Sequence, residues 1–311
     1  MPNITSAPGK IILFGEHAVV YGIPAIAVPL LDLRVTVNWT PTDNNTLTVI
    51  GKDHNHKQVS IDFDMDDLQH PLTSVIRQVL HHYNAPTPSA SIEIQSDIPI
   101  ASGLGSGAAV STALGRAIAN ISNYDIPADV LNHIVFETEK IHHGTPSGID
   151  NTVIVYEQAI KFIKNYPIEP LTIHTPFSLI VADTGIPAPT HESVGDVRAL
   201  YDADQHHIQT IFDEIGAIVD SAIDCIAQGD IPQLGSLMTQ NHEYLQKLTV
   251  SSKELDKLVH VALDHGALGA KLSGGGRGGN MIVLVQNDMI EPISQHLIEA
   301  GATRVFSTLV K

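Results

Sequence analysis

The chain predicts a two-domain α+β protein, and three observations carry that expectation. Its 311 residues are enough for two domains of roughly 100–200 residues each. Strand-like and helix-like stretches occur in both halves. Three prolines, Pro167, Pro170 and Pro176, punctuate the segment from Tyr166 to Pro176, where a crossover between domains is expected. With 43% hydrophobic and 16% charged residues the composition is that of a folded chain, which excludes global disorder.

The elements follow in order. Lys10 opens an apolar run to Phe14, and Ile26 to Val37 is a longer one; both predict strands, as do Leu47 to Ile50 and Val59 to Phe63. Leu72 to Tyr83 spaces Val75, Ile76, Val79 and Leu80 as one helix face. Ser91 to Gln95 alternates as a strand and leads towards a glycine-rich segment, after which Ala108 to Ile121 is an alanine-rich helix. Ala128 to His142 predicts a second helix stopped by Gly144. Asn151 to Tyr156 then predicts a strand. Beyond the prolines, Ser178 to Ala182 predicts a strand and Val194 to Ala227, Ile231 to Lys247 and Leu255 to His265 are helical stretches. A second glycine-rich segment precedes the strand Met281 to Val285.

Charge narrows the function. Seventeen Lys and Arg against 34 Asp and Glu give a net charge of −17, and no basic stripe is present, so a nucleic-acid partner is not expected. A polyanionic ligand would have to be held by backbone amides, a metal ion and one or two placed cations. The single cysteine, Cys225, rules out an intrachain disulfide, a CxxC redox pair and a cysteine zinc knuckle, and predicts core packing. The first residues lack the order of a signal peptide. The apolar run Ile23 to Leu31 is broken by Pro24 and Pro29, so no membrane span and a cytoplasmic setting are expected. The 17 histidines include no HExxH, the acidic DFDMDD at 62–67 fails as a calcium loop at its sixth and twelfth positions, and no GxSxG or Walker A loop occurs.

Four segments could carry chemistry. ASGLGSGAA at 101–109 (Ala101, Ser102, Gly103, Leu104, Gly105, Ser106, Gly107 and the first alanines of the helix) lies between a strand and a helix. Its glycines allow close backbone approach and the free amides of the helix start point at an anion, so it is either a phosphate cradle or an ordinary glycine-rich helix start. It also meets the loose GxGxxA dinucleotide pattern, with Asp125 as the candidate ribose acceptor, although DIPIA separates it from its strand. KLSGGGRGGNMIVLV at 271–285 packs five glycines into Gly274 to Gly279, either a tight loop beside a ligand or a flexible hairpin. In APGKIILFGEHAVVYG at 7–22, Lys10 is a snorkelling edge residue or a catalytic cation, and Glu16 and His17 bind polar substrate groups or cap a turn. In FETEKIHHGTPSGIDN at 136–151, Glu139 and Asp150 bring two carboxylates from different elements, one suited to magnesium and one to an attacking hydroxyl; the alternatives are a solvated helix face and a turn residue.

Together PGKIILFGEHAVVYG, IPIASGLGSGAAVS and KLSGGGRGGN resemble, in this order, the three motifs of the GHMP kinase superfamily, and the resemblance extends over essentially the whole length. GEHAVVYG, EKIHHGTPSGIDN and VADTGIPAPT further resemble one branch of it, whose substrate is a small alcohol carrying a carboxylate. The resemblance implies an N-terminal ribosomal-protein-like α/β domain over 1–172, binding ATP and carrying catalysis. A C-terminal ferredoxin-like α+β domain over 173–311 would contribute the substrate cleft and the third motif, with the active site between the domains. It implies ATP and Mg2+ as cofactors and no nucleic-acid or membrane partner, and a homodimer is admitted.

By the same resemblance Asp150 is the catalytic base, Lys10 lies near the transferred phosphate and the substrate hydroxyl, and Glu139 binds magnesium. Residues 101–107 wrap the ATP phosphates. Glu16, His17, Ser147, Thr184, Lys10 and Asp150 border the substrate. Two departures stand out. Gly107 occupies the position of the serine that usually approaches magnesium, leaving Ser106 as the substitute ligand, and Arg277 and Asn280 stand where glycine and cysteine are common. The remaining readings are a related kinase of another alcohol or phosphate, a non-catalytic relative, which would be expected to lack Lys10 or Asp150, and a dinucleotide-dependent oxidoreductase.

Overall fold

The computed structural model describes residues 3–52, 57–59, 64–67, 69–99, 103–143, 146–188 and 190–311, without the side chains of 59, 142 and 143. The chain divides into two compact units that interleave in sequence. The first comprises residues 1–10, 31–100 and 104–157; the second comprises 11–30, 101–103 and 158–311.

Strand β1 (Ile4–Phe14) pairs with β2 (Ala25–Pro41). Lys10 therefore sits deep in a strand that begins at Ile4, rather than opening it. In the first unit β2 buries Leu33, Val35, Val37 and Trp39 on alternate positions, the signature of a half-covered strand. It pairs antiparallel with β5 (Ala90–Ser96), which runs parallel to β3 (Leu47–Lys52); β4 (Gln58–Val59) pairs with β3. Of the strand expected over Val59 to Phe63, residues 60–63 lie outside the described residues, as does Gly144. Helices α1 (Pro71–His82), α2 (Ser106–Ile121), α3 (Ala128–His143) and α4 (Ile149–Tyr156) pack on one another. Helix α1 starts with Pro71 at a position where the missing amide is harmless, and buries Leu72, Val75, Ile76, Val79 and Leu80 at helical spacing.

Helix α4 corrects the strand expected over Asn151 to Tyr156. Its residues 151–155 are all buried, so no alternation marks a period, and a short apolar run of this kind is ambiguous between strand and helix. The decision lies just upstream. Gly148 takes the left-handed backbone (φ 92°) and the Ser147 hydroxyl accepts from the Ile149 amide at 3.3 Å, which starts a helix.

In the second unit β6 (Ile160–Phe162) pairs with residues 25–27 of β2 and with β7 (Glu169–Pro170). Strand β8 (Phe177–Asp183) leads into α5 (Thr190–Ala203), α6 (Gln205–Gln228), α7 (Ile231–Lys247) and α8 (Lys253–Asp264). The hairpin β9 (Gly269–Leu272)–β10 (Asn280–Val285), α9 (Ile290–Glu299) and β11 (Arg304–Val310) follow. The sheet order β11–β8–β10–β9, antiparallel throughout, is the ferredoxin-like split βαβ pattern with four helices in its first crossover. The single helical stretch expected over 194–227 is two helices. Asp204 leaves helical geometry and its carboxylate accepts from the His207 amide, capping α6. Phe212, Ile215, Leu258, Val259, Val283 and Leu297 lie in the core of this unit, and Cys225 is buried as expected. Among the described residues no helix is long and apolar enough to cross a membrane.

Candidate active site

In the first unit, β1, α2, α3 and α4 bring Lys10, the start of α2, Glu139 and Asp150 together. Lys10 is 4% exposed, and its Nζ lies 3.1 Å from Asp150 Oδ1. Asp150 occupies the first turn of α4, where the helix dipole favours a carboxylate, and keeps about a third of its side chain exposed. The Lys10 amide donates to the Leu104 carbonyl at 3.0 Å, which ties β1 to the first glycine-rich segment.

Gly105 is the residue that makes this approach possible. It has φ 74°, and a Cβ there would lie 2.7 Å from Ile154 Cδ1 and 3.1 Å from Lys10 Cγ. No side chain caps α2, so its first amides face outward without an intrahelical acceptor. Gly105→Ala is expected to cost about 1–3 kcal/mol and to lower kcat by displacing the Lys10 stem. Urea unfolding and steady-state turnover check this; wild-type values in both would show that the position tolerates a side chain.

Glu139 is buried on α3, in the field of both Asp150 and Lys10. Burial first, then the negative Asp150, pushes its carboxyl up to about 7, with Lys10 opposing. A Cβ on Gly107 would lie 3.1 Å from Glu139 Oε1. The serine missing here would therefore have projected at this carboxylate. Ser106, half-buried, is the first residue of α2. Ala101 and Ser102 lie outside the described residues; Gly103 (φ 77°), Leu104 and Gly105 form the described part of the loop.

The elevated Glu139 fixes a pH response of the ligand-free protein. Its folded value lies above the unfolded value of about 4.3, so the native state holds this proton more tightly and stability falls as pH rises from about 4.5 to 7, by up to about 3 kcal/mol. Glu139→Gln is expected to be more stable than the parent at pH 8 but not at pH 4.5. Urea denaturation at the two pH values measures it, and an equal difference at both contradicts the burial argument.

The second unit holds Glu16, His17 and Thr184 against the second glycine-rich segment, which is the β9–β10 hairpin loop. Glu16 is 1% exposed and forms an ion pair with Lys271, which is fully buried and also donates to the Leu272 carbonyl at 2.7 Å. Lys271 was the residue that sequence reasoning missed. It heads the KLSGGGRGGN segment, but a lone lysine in a strand otherwise reads as a surface residue. His17 has φ 62°, and its Nε2 donates to the Gly275 carbonyl at 3.0 Å, which fixes the tautomer. Burial lowers its pKa to about 4, against the raising effect of that bond, so the ring is neutral at pH 7 and Nδ1 is an acceptor without a partner among the described residues.

The Thr184 hydroxyl donates to the Gly279 carbonyl at 3.0 Å, and Ser273 Oγ donates to the Ile12 carbonyl at 2.8 Å. The loop is thus packed against backbone and is not a loose hairpin. Gly276 admits no side chain, since a Cβ would lie 1.9 Å from the Val250 carbonyl. Behind it, His242 Nδ1 accepts from the Leu272 amide, so Nε2 donates to Asp256. Among the described residues no group of three or more His, Cys, Asp or Glu could by itself hold a metal.

A buried lysine paired with a part-exposed aspartate beside a glycine-started helix, together with a split βαβ unit, defines a class, and family comparison agrees. The N-terminal domain model of the GHMP kinases matches residues 71–158 and the C-terminal model residues 222–301. The chain belongs to the GHMP kinases, ATP-dependent enzymes. Within the family it is similar to the mevalonate kinase of Pyrococcus furiosus, at 33% identity over 98% of this chain and 96% of the relative, and to that of Methanocaldococcus jannaschii, at 30% over 94% and 95%. Among solved structures it resembles L. major mevalonate kinase in complex with R-mevalonate, with a TM-score of 0.87, 28% identity, and coverage of 100% of this chain and 96% of that one.

Proposed function

We propose that this chain is a mevalonate kinase: it transfers the γ-phosphoryl group of ATP to the primary hydroxyl of mevalonate, giving 5-phosphomevalonate and ADP. The reaction belongs to isopentenyl diphosphate biosynthesis by the mevalonate pathway, in a cytoplasmic setting. The observation that carries the reading is the 3.1 Å contact between Lys10 and Asp150 beside the uncapped start of α2.

The substrate alcohol must lose its proton as phosphorus arrives. Asp150, exposed on one side and held by Lys10 on the other, accepts that proton. Lys10 lowers the alcohol's pKa and screens charge on the transferring group. Because the transition state is loose, fixing these charges counts for more than base strength. The open amides of α2 and residues 101–107 receive the triphosphate oxygens. Glu16 and His17 orient polar groups of mevalonate, His17 Nδ1 accepting from a hydroxyl. Ser147 and Thr184 border the substrate through the turns they cap.

Magnesium fits the donor set. A carboxylate raised by burial and by a neighbouring negative charge is one that a cation would relieve, and Mg2+ characteristically takes one or two protein carboxylates, leaving its other positions to phosphates and water. Glu139 would hold it, with Ser106 as the further oxygen donor in place of the absent serine, and the ion supplies charge neutralisation at the phosphates. The division at 172/173 into an ATP-binding and a substrate domain is part of the proposal; the two family matches fall on either side of it. No step calls on a residue of a second copy, so the reading holds for a monomer or a homodimer.

A coupled ADP-release assay over mevalonate, phosphomevalonate, homoserine and galactose, with and without magnesium, tests the reading. Turnover is expected with mevalonate alone and only with the metal. Faster turnover of phosphomevalonate or homoserine would replace the substrate assigned here.

A further inference from the structure

We propose that Arg277 is a positioning residue for His17: it fastens the glycine-rich β9–β10 loop to α5 and to the turn after α7, so that the Gly275 carbonyl holds the His17 ring in one tautomer. The inference rests on the reading of His17 as a substrate-side residue.

Arg277 has φ 62°, a backbone region that glycine fills without strain and that a long side chain occupies when its surroundings hold it there. Three contacts do so. Its amide donates to the Val250 carbonyl at 2.8 Å, its Nε donates to the Thr249 carbonyl at 3.4 Å, and its guanidinium pairs with Asp196 on α5. The neighbouring glycines lie against the same two elements. A Cβ on Gly276 would strike the Val250 carbonyl, and one on Gly275 would lie 2.9 Å from Thr190 Oγ1, at the start of α5.

The carbonyl between these anchors is the acceptor for His17 Nε2. The far end of α5 meets the segment that follows His17, where Tyr201 packs on Tyr21 with centroids 4.9 Å apart and Tyr21 stacks on Phe212. Helix α5 thus lies against Gly275 at its start and against the segment after His17 at its far end, and the Arg277–Asp196 pair clamps the loop that carries Gly275 to it. At this φ, which glycine would adopt unaided, a side-chain clamp holds the backbone instead.

The test uses Arg277→Gly, Asp196→Asn, their combination and Arg277→Lys. Glycine suits the observed φ, so Arg277→Gly is expected to fold with an unchanged melting temperature. Asp196→Asn leaves the arginine charge in place, so any effect it has on His17 reports position rather than field. In ligand-free, 15N-histidine-labelled protein the parent is expected to show His17 as the Nε2–H tautomer alone, and both single variants a mixture of tautomers. The KM for mevalonate is expected to rise about tenfold with kcat changed less than about twofold and the KM for ATP unmoved. The double variant should be no worse than either single one, and Arg277→Lys, which still reaches Asp196, should recover part of the loss. A single His17 tautomer in both variants would overturn the clamp. A tautomer mixture with an unchanged KM would overturn instead the placement of His17 beside the substrate.

Discussion

Asp150→Asn is expected to lower kcat by about a thousandfold or more while the KM for mevalonate changes by less than about threefold. The reason is geometric. Asp150 contacts Lys10 through one carboxylate oxygen at 3.1 Å and keeps part of its side chain exposed, so the amide can fill the same space without being able to accept the alcohol's proton. Alanine would be a poorer probe, because Lys10 is only 4% exposed and would lose the carboxylate it pairs with, mixing a folding defect with the chemical one. Single-turnover kinetics with saturating ATP separate chemistry from product release. Near-normal turnover in Asp150→Asn would remove the proton-accepting role and leave the carboxylate as an anchor for Lys10 only.

What the sequence made readable, and what it hid, divides along physical lines. The helix faces of α1, α2 and α3 were legible because one side is apolar at 3.6-residue spacing, and the two glycine-rich segments were legible because so many glycines in a folded chain need a local reason. Helix α4 was not, because burial on every side erases the period; its start was set by Gly148 and Ser147, which read equally well as a turn. The break between α5 and α6 was hidden for the converse reason, since Asp204 interrupts the backbone without interrupting the apolar pattern.

In the site, the pairing of Lys10 with Asp150 required resemblance, because 140 positions separate them and spacing carries no information at that range. The clash that makes Gly105 a glycine was out of reach without coordinates, because the atoms it would strike belong to Lys10 and Ile154. Lys271 was hidden by residue statistics: lysine in a strand is usually at an edge, whereas here its charge is matched by Glu16, 255 residues away.

That buried pair gives the second large effect. Lys271→Met is expected to destabilise the protein by about 3–5 kcal/mol, because it leaves Glu16 as a charge 1% exposed in a neighbourhood arranged for neutrality. The pair itself need not stabilise the fold, since desolvating both ions offsets most of their attraction and Lys271 is already pulled below the ordinary lysine pKa by burial. Glu16→Met combined with Lys271→Met is therefore expected to return to within about 1–2 kcal/mol of the parent. Activity should not return with it. If Glu16 orients mevalonate, the double variant folds but binds the alcohol weakly, with a raised KM and unaltered nucleotide affinity. Urea unfolding of the two single variants and the double, with KM measured on the double, decides between the two roles. A double variant as unstable as Lys271→Met would show that the lysine's contact with the Leu272 carbonyl, rather than the charge pair, holds the strand. A double variant with parental KM would make the pair a purely structural substitute for apolar packing.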